Sequence, residues 1–274
     1  MRVVLDRVAV RHPAASGRPG PALRPLSLTI ERGEQLAVVG PSGAGKTTLL
    51  HALACALPPS AGLLRFDEID PWSLPTRRLH RQRSNLFLAP QVPPLPPRQR
   101  VVTAVLAARL PQWSLATALR SLVYPADIPA ARFALAQFDV EHKLWARVDR
   151  LSGGERQRVA LSRTALTAAT LWLVDEPLSS LDPTRSVQAI DALTRLARER
   201  GATLIVTLHQ VGVARLFPRV LGLRDGLLQF DVSGTDLSEE RLRALYAQHE
   251  DELLNAAPLP RVAQADHASG LSWR

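Results

Sequence analysis

A glycine-rich loop with a single lysine is the clearest chemical signal in the sequence. Residues 40–47 read Gly-Pro-Ser-Gly-Ala-Gly-Lys-Thr and fit the pattern G-x-x-x-x-G-K-[ST]. An apolar stretch precedes the loop and a helical pattern follows it, which is the context that this pattern requires. Glycines let backbone N–H groups turn toward phosphate oxygens, and a helix N-terminus adds positive potential. The loop therefore predicts a site for nucleotide phosphates.

Two side chains of the glycine-rich loop suit phosphate and metal chemistry. Lys46 is expected to reach the β- and γ-phosphates, and the Thr47 hydroxyl to ligate Mg²⁺. Lysine and arginine together number 34, yet only Lys46 and Lys143 are lysines. A compact ammonium fits a narrow loop better than a planar guanidinium does. Lys46 therefore has a specific reason to be lysine, whereas Lys143 is expected to be a surface residue.

Two adjacent carboxylates follow a later apolar stretch, Leu171–Val174. The carboxyl end of a parallel strand faces the ligand crevice of its sheet. Asp175 is therefore expected to hold Mg²⁺ through water, and Glu176 to act as the general base toward an attacking water. The alternative is an acidic turn without chemistry, which the upstream glycine-rich loop makes less favourable.

A second glycine-containing segment, Leu151-Ser-Gly-Gly-Glu-Arg-Gln-Arg, opens a helix that Ser152 can cap. The amides of Gly153 and Gly154 and the Ser152 hydroxyl could bind a further anion. One helix N-terminus can hardly serve a γ-phosphate already held by a distant part of the same chain. We therefore expect a second subunit to supply this segment in trans.

Two more polar residues lie near the predicted crevice. His209 ends a predicted strand, where it could contact the γ-phosphate and the attacking water, although a lone histidine is more often structural. Gln91 begins a proline-rich loop, and its amide could ligate Mg²⁺ and sense it.

The elements that must position these residues alternate along the chain. Predicted strands cover residues 3–10, 26–30, 35–39, 63–66, 170–174, 202–208 and a hairpin at 220–223 and 227–230. Predicted helices cover 47–57, 153–167, 186–200 and 237–254, with a helical stretch at 101–150 broken at Pro111 and Pro125. This order predicts an α/β fold whose mostly parallel sheet is covered on both faces, with an inserted helical subdomain at about 92–150.

Composition narrows the class of protein. The chain has 274 residues, 46% of them apolar, enough for a substantial core. It has no apolar run long enough for a transmembrane helix, no signal-peptide core near Met1, and one cysteine, Cys55. A soluble intracellular protein is expected. The net charge of +9 is compatible with a neighbouring nucleic acid or anionic membrane, or with a solvated basic surface.

A set of short segments resembles the nucleotide-binding subunit of ABC transporters, and the resemblance covers about residues 1–250. The segments are Gly40–Thr48, Gln91, Leu151–Gln157, Leu171–Glu176, Ser180–Asp182 and His209. The resemblance implies a P-loop NTPase cassette with N-terminal antiparallel strands, spanning residues 1–253. The composition of residues 254–274 predicts a disordered tail. The resemblance implies ATP and Mg²⁺ as cofactors, with catalysis by Glu176, His209 and Lys46. Nucleotide contacts are then expected from Gly40, Pro41, Ser42, Gly43, Ala44, Gly45, Lys46, Thr47, Thr48, His12 and Gln91, with metal contacts from Thr47, Gln91 and Asp175.

The resemblance also implies partners. It implies a head-to-tail homodimer in which Ser152, Gly153, Gly154, Gln157 and Asp182 contact the ATP of the other subunit. A membrane permease would insert a coupling helix beside Gln91 and the helical subdomain, and a periplasmic solute-binding protein would act indirectly. The expected location is the cytoplasmic face of the inner membrane. Three features depart from the family pattern: His12 replaces the usual tyrosine, Pro90 replaces a usual aromatic residue, and Val92–Pro97 is rich in proline.

Further short motifs resemble those of the phosphonate-import ATPases, a subgroup of this family. These motifs are Thr207–Val211, Ala214-Arg215, Gly222–Gly226, Phe230-Asp231, Val105–Leu110, Leu119–Leu122 and Leu245-Tyr246. Importers of phosphite or phosphate remain open, because in such systems the solute-binding protein and the permease select the substrate. Another importer, an exporter or a lipoprotein-release complex are further alternatives. A nucleic-acid-linked ABC ATPase is less favoured, because such relatives carry two cassettes or a long coiled coil between the motifs. This chain has one cassette, and the segment between Lys46 and Leu151 is too short for a long coiled coil.

Overall fold

The computed structural model describes residues 1–11 and 20–247, apart from the side chains of Leu122 and Val123. Its strands are β1 (Val3–Val10), β2 (Leu23–Ile30), β3 (Gln35–Val39), β4 (Ala61–Phe66), β5 (Leu86–Ala89), β6 (Leu171–Asp175), β7 (Thr203–Leu208), β8 (Arg219–Arg224) and β9 (Leu227–Ser233). Its helices are α1 (Lys46–Leu53), α2 (Thr76–Arg83), α3 (Val101–Leu106), α4 (Leu115–Val123), α5 (Ile128–Ala136), α6 (Gly153–Ser162), α7 (Pro183–Glu199), α8 (Val211–Ala214) and α9 (Glu239–Leu245).

Two sheets form the framework. The first is antiparallel, with the order β2-β1-β4. The second has the order β5-β6-β7-β3-β8-β9, and its strands pair in parallel except for the β8–β9 hairpin. The predicted α/β class, the mostly parallel sheet and the antiparallel N-terminal strands are confirmed.

The central strands are buried on both faces. Every residue of β3, β6 and β7 is buried. Successive residues of each strand alternate between two hydrophobic clusters: Leu173 and Ile205 join the cluster that contains β1, β2 and α1, whereas Trp172 and Val206 join the cluster that contains α3, α5, α6 and α7. This alternation explains why these strands read as continuous apolar runs.

The region after Val101 folds as the predicted helical subdomain, but in short pieces. Helices α3, α4 and α5 are joined by irregular segments, and Pro111 lies inside a 3-10 turn, Ala107–Gln112. Residues 92–100 form a loop that precedes the first helix.

Several predicted boundaries were wrong. Helix α1 ends at Leu53 rather than at residue 57, and Cys55 beyond it adopts a positive φ of 54°. Strand β5 was not predicted, because it is a four-residue edge strand within a basic segment.

The predicted tail at 254–274 lies outside the described residues. Among the helices that the structure describes, none combines the length and apolarity needed to cross a bilayer.

Replacing Ile205 tests the packing at the centre of the parallel sheet. Its side chain is fully buried on β7, in register with Leu173 on β6 and Leu36 on β3. Ile205→Ala should lower the free energy of unfolding by about 2–5 kcal/mol, because it leaves a cavity in a tightly packed core. Urea unfolding measures this change. Leu115→Ala, at a side chain that is 76% exposed, is the control and should change it by less than about 0.5 kcal/mol.

Candidate active site

The glycine-rich loop connects β3 to α1 in a backbone shape that needs glycine. Gly40, Gly43 and Gly45 have φ angles of 153°, 78° and 101°, and Gly45 is the N-cap of α1. A Cβ on Gly40 would lie 2.0 Å from the carbonyl oxygen of Leu223, and one on Gly45 would lie 2.8 Å from that of Ala22. Side chains are therefore excluded at both ends of the loop.

Lys46 is buried at the start of α1, with 4% of its surface exposed. Its Nζ donates hydrogen bonds to the carbonyl oxygens of Gly40, at 2.7 Å, and of Pro41, at 3.2 Å. It also lies 3.9 Å from Glu176 Oε1. The ammonium is thus held inside the curve of the loop, at the place where the sequence predicts bound phosphates.

The other loop residues divide by exposure. Ser42, Gly43 and Thr47 are exposed, whereas Pro41, Ala44 and Thr48 are buried. The Thr47 hydroxyl is therefore accessible at the N-terminus of α1, as a metal ligand would have to be. His12, the residue expected to stack on a nucleotide base, lies outside the described residues.

A threonine on β7 orients the two carboxylate residues at the end of β6. Asp175, which is buried, accepts a hydrogen bond from Thr207 Oγ1 at 2.6 Å, and the backbone N–H of Glu176 donates to the same Oγ1 at 2.9 Å. Asp175 and Thr207 are partners in the parallel register of β6 and β7. Glu176 has a positive φ of 46°, and the Thr207 contact helps to hold that strained turn. Thr207 was not predicted as a site residue. Its position two residues before His209, on the same predicted strand, is the sequence feature that could have indicated it.

The carboxylate of Glu176 receives contacts from the two neighbouring strands. Oε2 accepts a hydrogen bond from Gln91 Nε2 at 2.7 Å, and Oε1 lies 2.5 Å from His209 Nε2. Gln91 comes two residues after β5, and His209 directly follows β7. The carboxyl ends of adjacent parallel strands therefore bring Gln91, Glu176 and His209 together, beside Lys46 from β3 and α1.

The charges around Glu176 favour its ionised form. Burial alone would raise the pKa of its carboxyl, but the hydrogen bond and charge of His209 and the charge of Lys46 outweigh it and lower the pKa below its ordinary value. A cavity of about 70 Å³ borders Glu176, His209 and Gln210, enough space for a water molecule. An ionised carboxylate beside such a cavity can accept a proton from water.

Oxygen-bearing side chains in this region suit a magnesium ion. Asp175 supplies a carboxylate, Thr47 a hydroxyl and Gln91 an amide oxygen. Within residues 1–11 and 20–247, no group of three or more His, Cys, Asp or Glu could hold a metal ion. Magnesium commonly takes one or two protein oxygens and completes its shell with water and substrate phosphates, so this sparse donor set fits it.

The second glycine-containing segment begins α6 with a complete capping box. Ser152 Oγ accepts from the Glu155 N–H, and the Glu155 carboxylate accepts from the Ser152 N–H. Lys143 Nζ lies 3.1 Å from Glu155 Oε1. Lys143 is therefore more than the plain surface residue that the sequence suggested, because it pairs with the carboxylate that caps this helix.

This segment packs against the loop that precedes α7. A Cβ on Gly154 would lie 3.0 Å from the Ser180 carbonyl oxygen. Ser152, Gly153 and Asp182 are exposed, and Asp182 caps α7 by accepting from the Arg185 N–H. Gln157 is only 5% exposed. The exposed residues form a surface that a second molecule can reach, whereas Gln157 faces its own subunit.

Known proteins resemble this chain in sequence and in fold. The family profile described as "ABC transporter" matches residues 23–179. The "Phosphonates import ATP-binding protein PhnC" of Polaromonas sp. strain JS666 is 62% identical over 258 residues, covering 94% of this chain and 93% of the relative. A protein of the same name, PhnC 1, from Pseudomonas syringae pv. syringae is 47% identical and covers 89% and 91%. A solved dimeric ATP-binding cassette, in a post-hydrolysis state with ADP and phosphate, is 27% identical with a TM-score of 0.70, covering 84% of this chain and 98% of that one.

Removing the Thr207 hydroxyl should destabilise the carboxylate turn. Thr207→Val keeps the side-chain shape but leaves Asp175 Oδ1 and the Glu176 N–H without this partner. We expect the free energy of unfolding to fall by about 1–3 kcal/mol, the usual cost of unpaired buried polar groups. Denaturant unfolding checks this value. Thr207→Ser retains the hydroxyl and should lose clearly less; an equal loss in both variants would contradict the explanation.

The capping box of α6 should make stability depend on pH. Hydrogen bonding by the Ser152 N–H and pairing with Lys143 lower the pKa of Glu155 below its ordinary value, although partial burial opposes this. Its ionised form therefore stabilises the fold above the ordinary pKa of about 4.3, and this contribution is lost as pH falls through the lower folded value. Unfolding of wild type and Glu155→Gln between pH 3 and 7 should give a difference that shrinks at acidic pH. A difference independent of pH would rule out this charge effect.

Proposed function

The chain belongs to the ABC transporter family, and from that premise we propose that it is the ATP-hydrolysing subunit of a phosphonate importer. The observation that carries the hydrolytic part is the convergence of Gln91 and His209 on Glu176, 3.9 Å from the buried Lys46. The importer assignment rests on the relatives, whose names describe phosphonate import and which match nearly the whole chain. An importer of phosphite or phosphate is the alternative assignment, because the solute-binding protein and the permease select the substrate.

The site residues divide the work of hydrolysis between binding and proton transfer. Lys46 and the backbone amides of the glycine-rich loop bind the phosphates of ATP. Glu176 accepts the proton of the attacking water, and His209 holds the carboxylate in place. Thr47, Asp175 and Gln91 would hold Mg²⁺, which neutralises charge on the β- and γ-phosphates when bound.

Two subunits complete the site in this proposal. Ser152, Gly153 and Gly154 contact the γ-phosphate held by the partner subunit, and Asp182 lies in the loop at the dimer seam. ATP closes a head-to-tail homodimer because the γ-phosphate binds both faces, which gives the closed state its higher affinity. The buried position of Gln157 supports an indirect role, through the helix that carries this surface.

In this proposal the cassette at residues 1–253 couples ATP hydrolysis to transport through its helical subdomain. We place the subunit at the cytoplasmic face of the inner membrane, where a permease contacts the loop after Gln91 and a periplasmic solute-binding protein delivers substrate. Exposed apolar side chains of that subdomain are the candidate contacts for the permease, and they are Val92, Leu110, Leu115, Leu119, Phe133 and Trp145.

Replacing Glu176 tests the hydrolytic assignment. Glu176→Gln keeps the size of the side chain and one of its two acceptor oxygens, but its amide cannot accept the proton of water. We expect the rate of ATP hydrolysis to fall by about 10²–10⁴-fold while ATP binding persists, because general-base catalysis contributes rate enhancement of that order. Phosphate release and nucleotide binding measure the two effects. The variant should also accumulate as an ATP-bound dimer in size-exclusion chromatography.

Glu141→Gln makes the same substitution at an exposed glutamate of the helical subdomain, and this matched control should hydrolyse ATP as the wild type does. Sustained hydrolysis by Glu176→Gln would contradict the role assigned to Glu176.

A further inference from the structure

Tyr246 contacts the glycine-rich loop from the other end of the described chain. It directly follows α9, its side chain is 1% exposed, and its hydroxyl accepts a hydrogen bond from the Gly40 N–H at 3.2 Å. The two residues are 206 positions apart. We propose that Tyr246 is a positioning residue of the nucleotide site, which holds the start of the glycine-rich loop in the shape that binds phosphates.

Gly40 needs an external partner because its own backbone does not fix its conformation. Its φ is 153°, and a Cβ at this position would come within 2.0 Å of the Leu223 oxygen, so any residue with a side chain is excluded. Glycine, however, has the greatest conformational freedom of all residues. The residue that the close approach requires is therefore also the one that most needs hydrogen bonds to hold it.

Two hydrogen bonds hold the peptide groups on either side of the Gly40 Cα. The N–H donates to the Tyr246 hydroxyl, and the carbonyl oxygen accepts from Lys46 Nζ at 2.7 Å. The first bond orients the peptide group that enters the loop, and the second orients the one that follows. By orienting Gly40, the Tyr246 hydroxyl fixes the backbone that surrounds the Lys46 ammonium, the group proposed to bind the phosphates.

Neighbouring contacts keep the Tyr246 hydroxyl in place. Arg224, at the end of β8, donates a hydrogen bond from Nη1 to the Ala244 carbonyl oxygen at 2.9 Å. This bond ties the end of α9 to the strand whose Leu223 carbonyl faces Gly40. Leu242 and Leu245 anchor the same helix in the core. The hydroxyl is therefore held by a packed helix that is tied to β8.

A purely structural role would reside in the aromatic ring, whereas the proposed role resides in the hydroxyl. Tyr246→Phe separates the two, because it keeps the ring in the core and removes the hydroxyl that accepts from the Gly40 N–H. A buried N–H without a partner is unfavourable, so the loop should shift toward conformations that bind phosphates less well.

The experiment uses the full chain and rests on the proposed function, since it measures ATP binding by the glycine-rich loop. Tyr246→Phe should raise the Kd for ATP and for ADP, and the KM for ATP, by about tenfold, the equivalent of about 1.4 kcal/mol. The kcat should stay within about twofold, because Glu176 and His209 are unchanged. Isothermal titration and steady-state hydrolysis give these values.

Two controls separate the possible outcomes. Tyr124→Phe alters the other tyrosine of the chain, which is 69% exposed, and should change neither Kd nor KM. Hydrogen–deuterium exchange of a peptide containing Gly40 should be slow in the wild type and faster in Tyr246→Phe. Fast exchange at Gly40 in the wild type would overturn the proposal without any variant.

A folded Tyr246→Phe that loses thermal stability but keeps its Kd would also overturn it, because the hydroxyl would then serve stability alone. Failure of the proposed function has a different signature: Lys46→Ala would bind ATP as the wild type does, or the wild type would not bind it.

Discussion

Strands β5, β6, β7 and β3 lie side by side and pair in parallel, so their carboxyl ends meet at one edge of the sheet. Each of these ends is followed by a residue of the candidate site: Gln91, Glu176, His209 and the glycine-rich loop with Lys46. The backbone hydrogen bonds of the sheet set the distances between these residues, because a parallel register fixes which strand ends are level. A slip of one residue between β6 and β7 would separate Thr207 from Asp175 and would turn the side chains of the shifted strand to the opposite face.

Burial of the central strands on both faces explains where the polar residues of the site can lie. Residues inside β3, β6 and β7 have no access to water, so they are apolar apart from residues with specific partners, such as Thr207 with Asp175. Chemistry must therefore begin where the strands end. The tight turns there require unusual backbone angles, positive φ at Glu176 and at three glycines of the loop, and the packed sheet below supplies the stability that holds them.

Short-range patterns were sufficient to predict most of this site. The glycine-rich loop, the Asp175-Glu176 pair and the Ser152 cap each depend on a few neighbouring residues, so their chemistry can be read from the sequence. Pairings between distant segments could not be read in that way. Leu86–Ala89 is an apolar run of four residues between Asn85 and Pro90, too short to identify a strand without its partner β6. Thr207, Lys143 and Tyr246 likewise have roles that only the contacts of the fold define.

The two lysines acquire a common explanation from those contacts. Lys46 Nζ, in the loop predicted to bind phosphate, lies 3.9 Å from Glu176 Oε1, and Lys143 Nζ lies 3.1 Å from Glu155 Oε1 in the second segment predicted to bind an anion. A guanidinium would bind such a carboxylate through two parallel hydrogen bonds in a fixed geometry, whereas an ammonium acts as a point charge without that fork. In the proposed function this difference matters at Glu176, because the carboxylate there accepts a proton from water while Lys46 binds phosphate. In a chain otherwise dependent on arginine for its positive charge, both lysines therefore lie beside a carboxylate that also has other partners: Gln91 and His209 at Glu176, and the Ser152 N–H at Glu155.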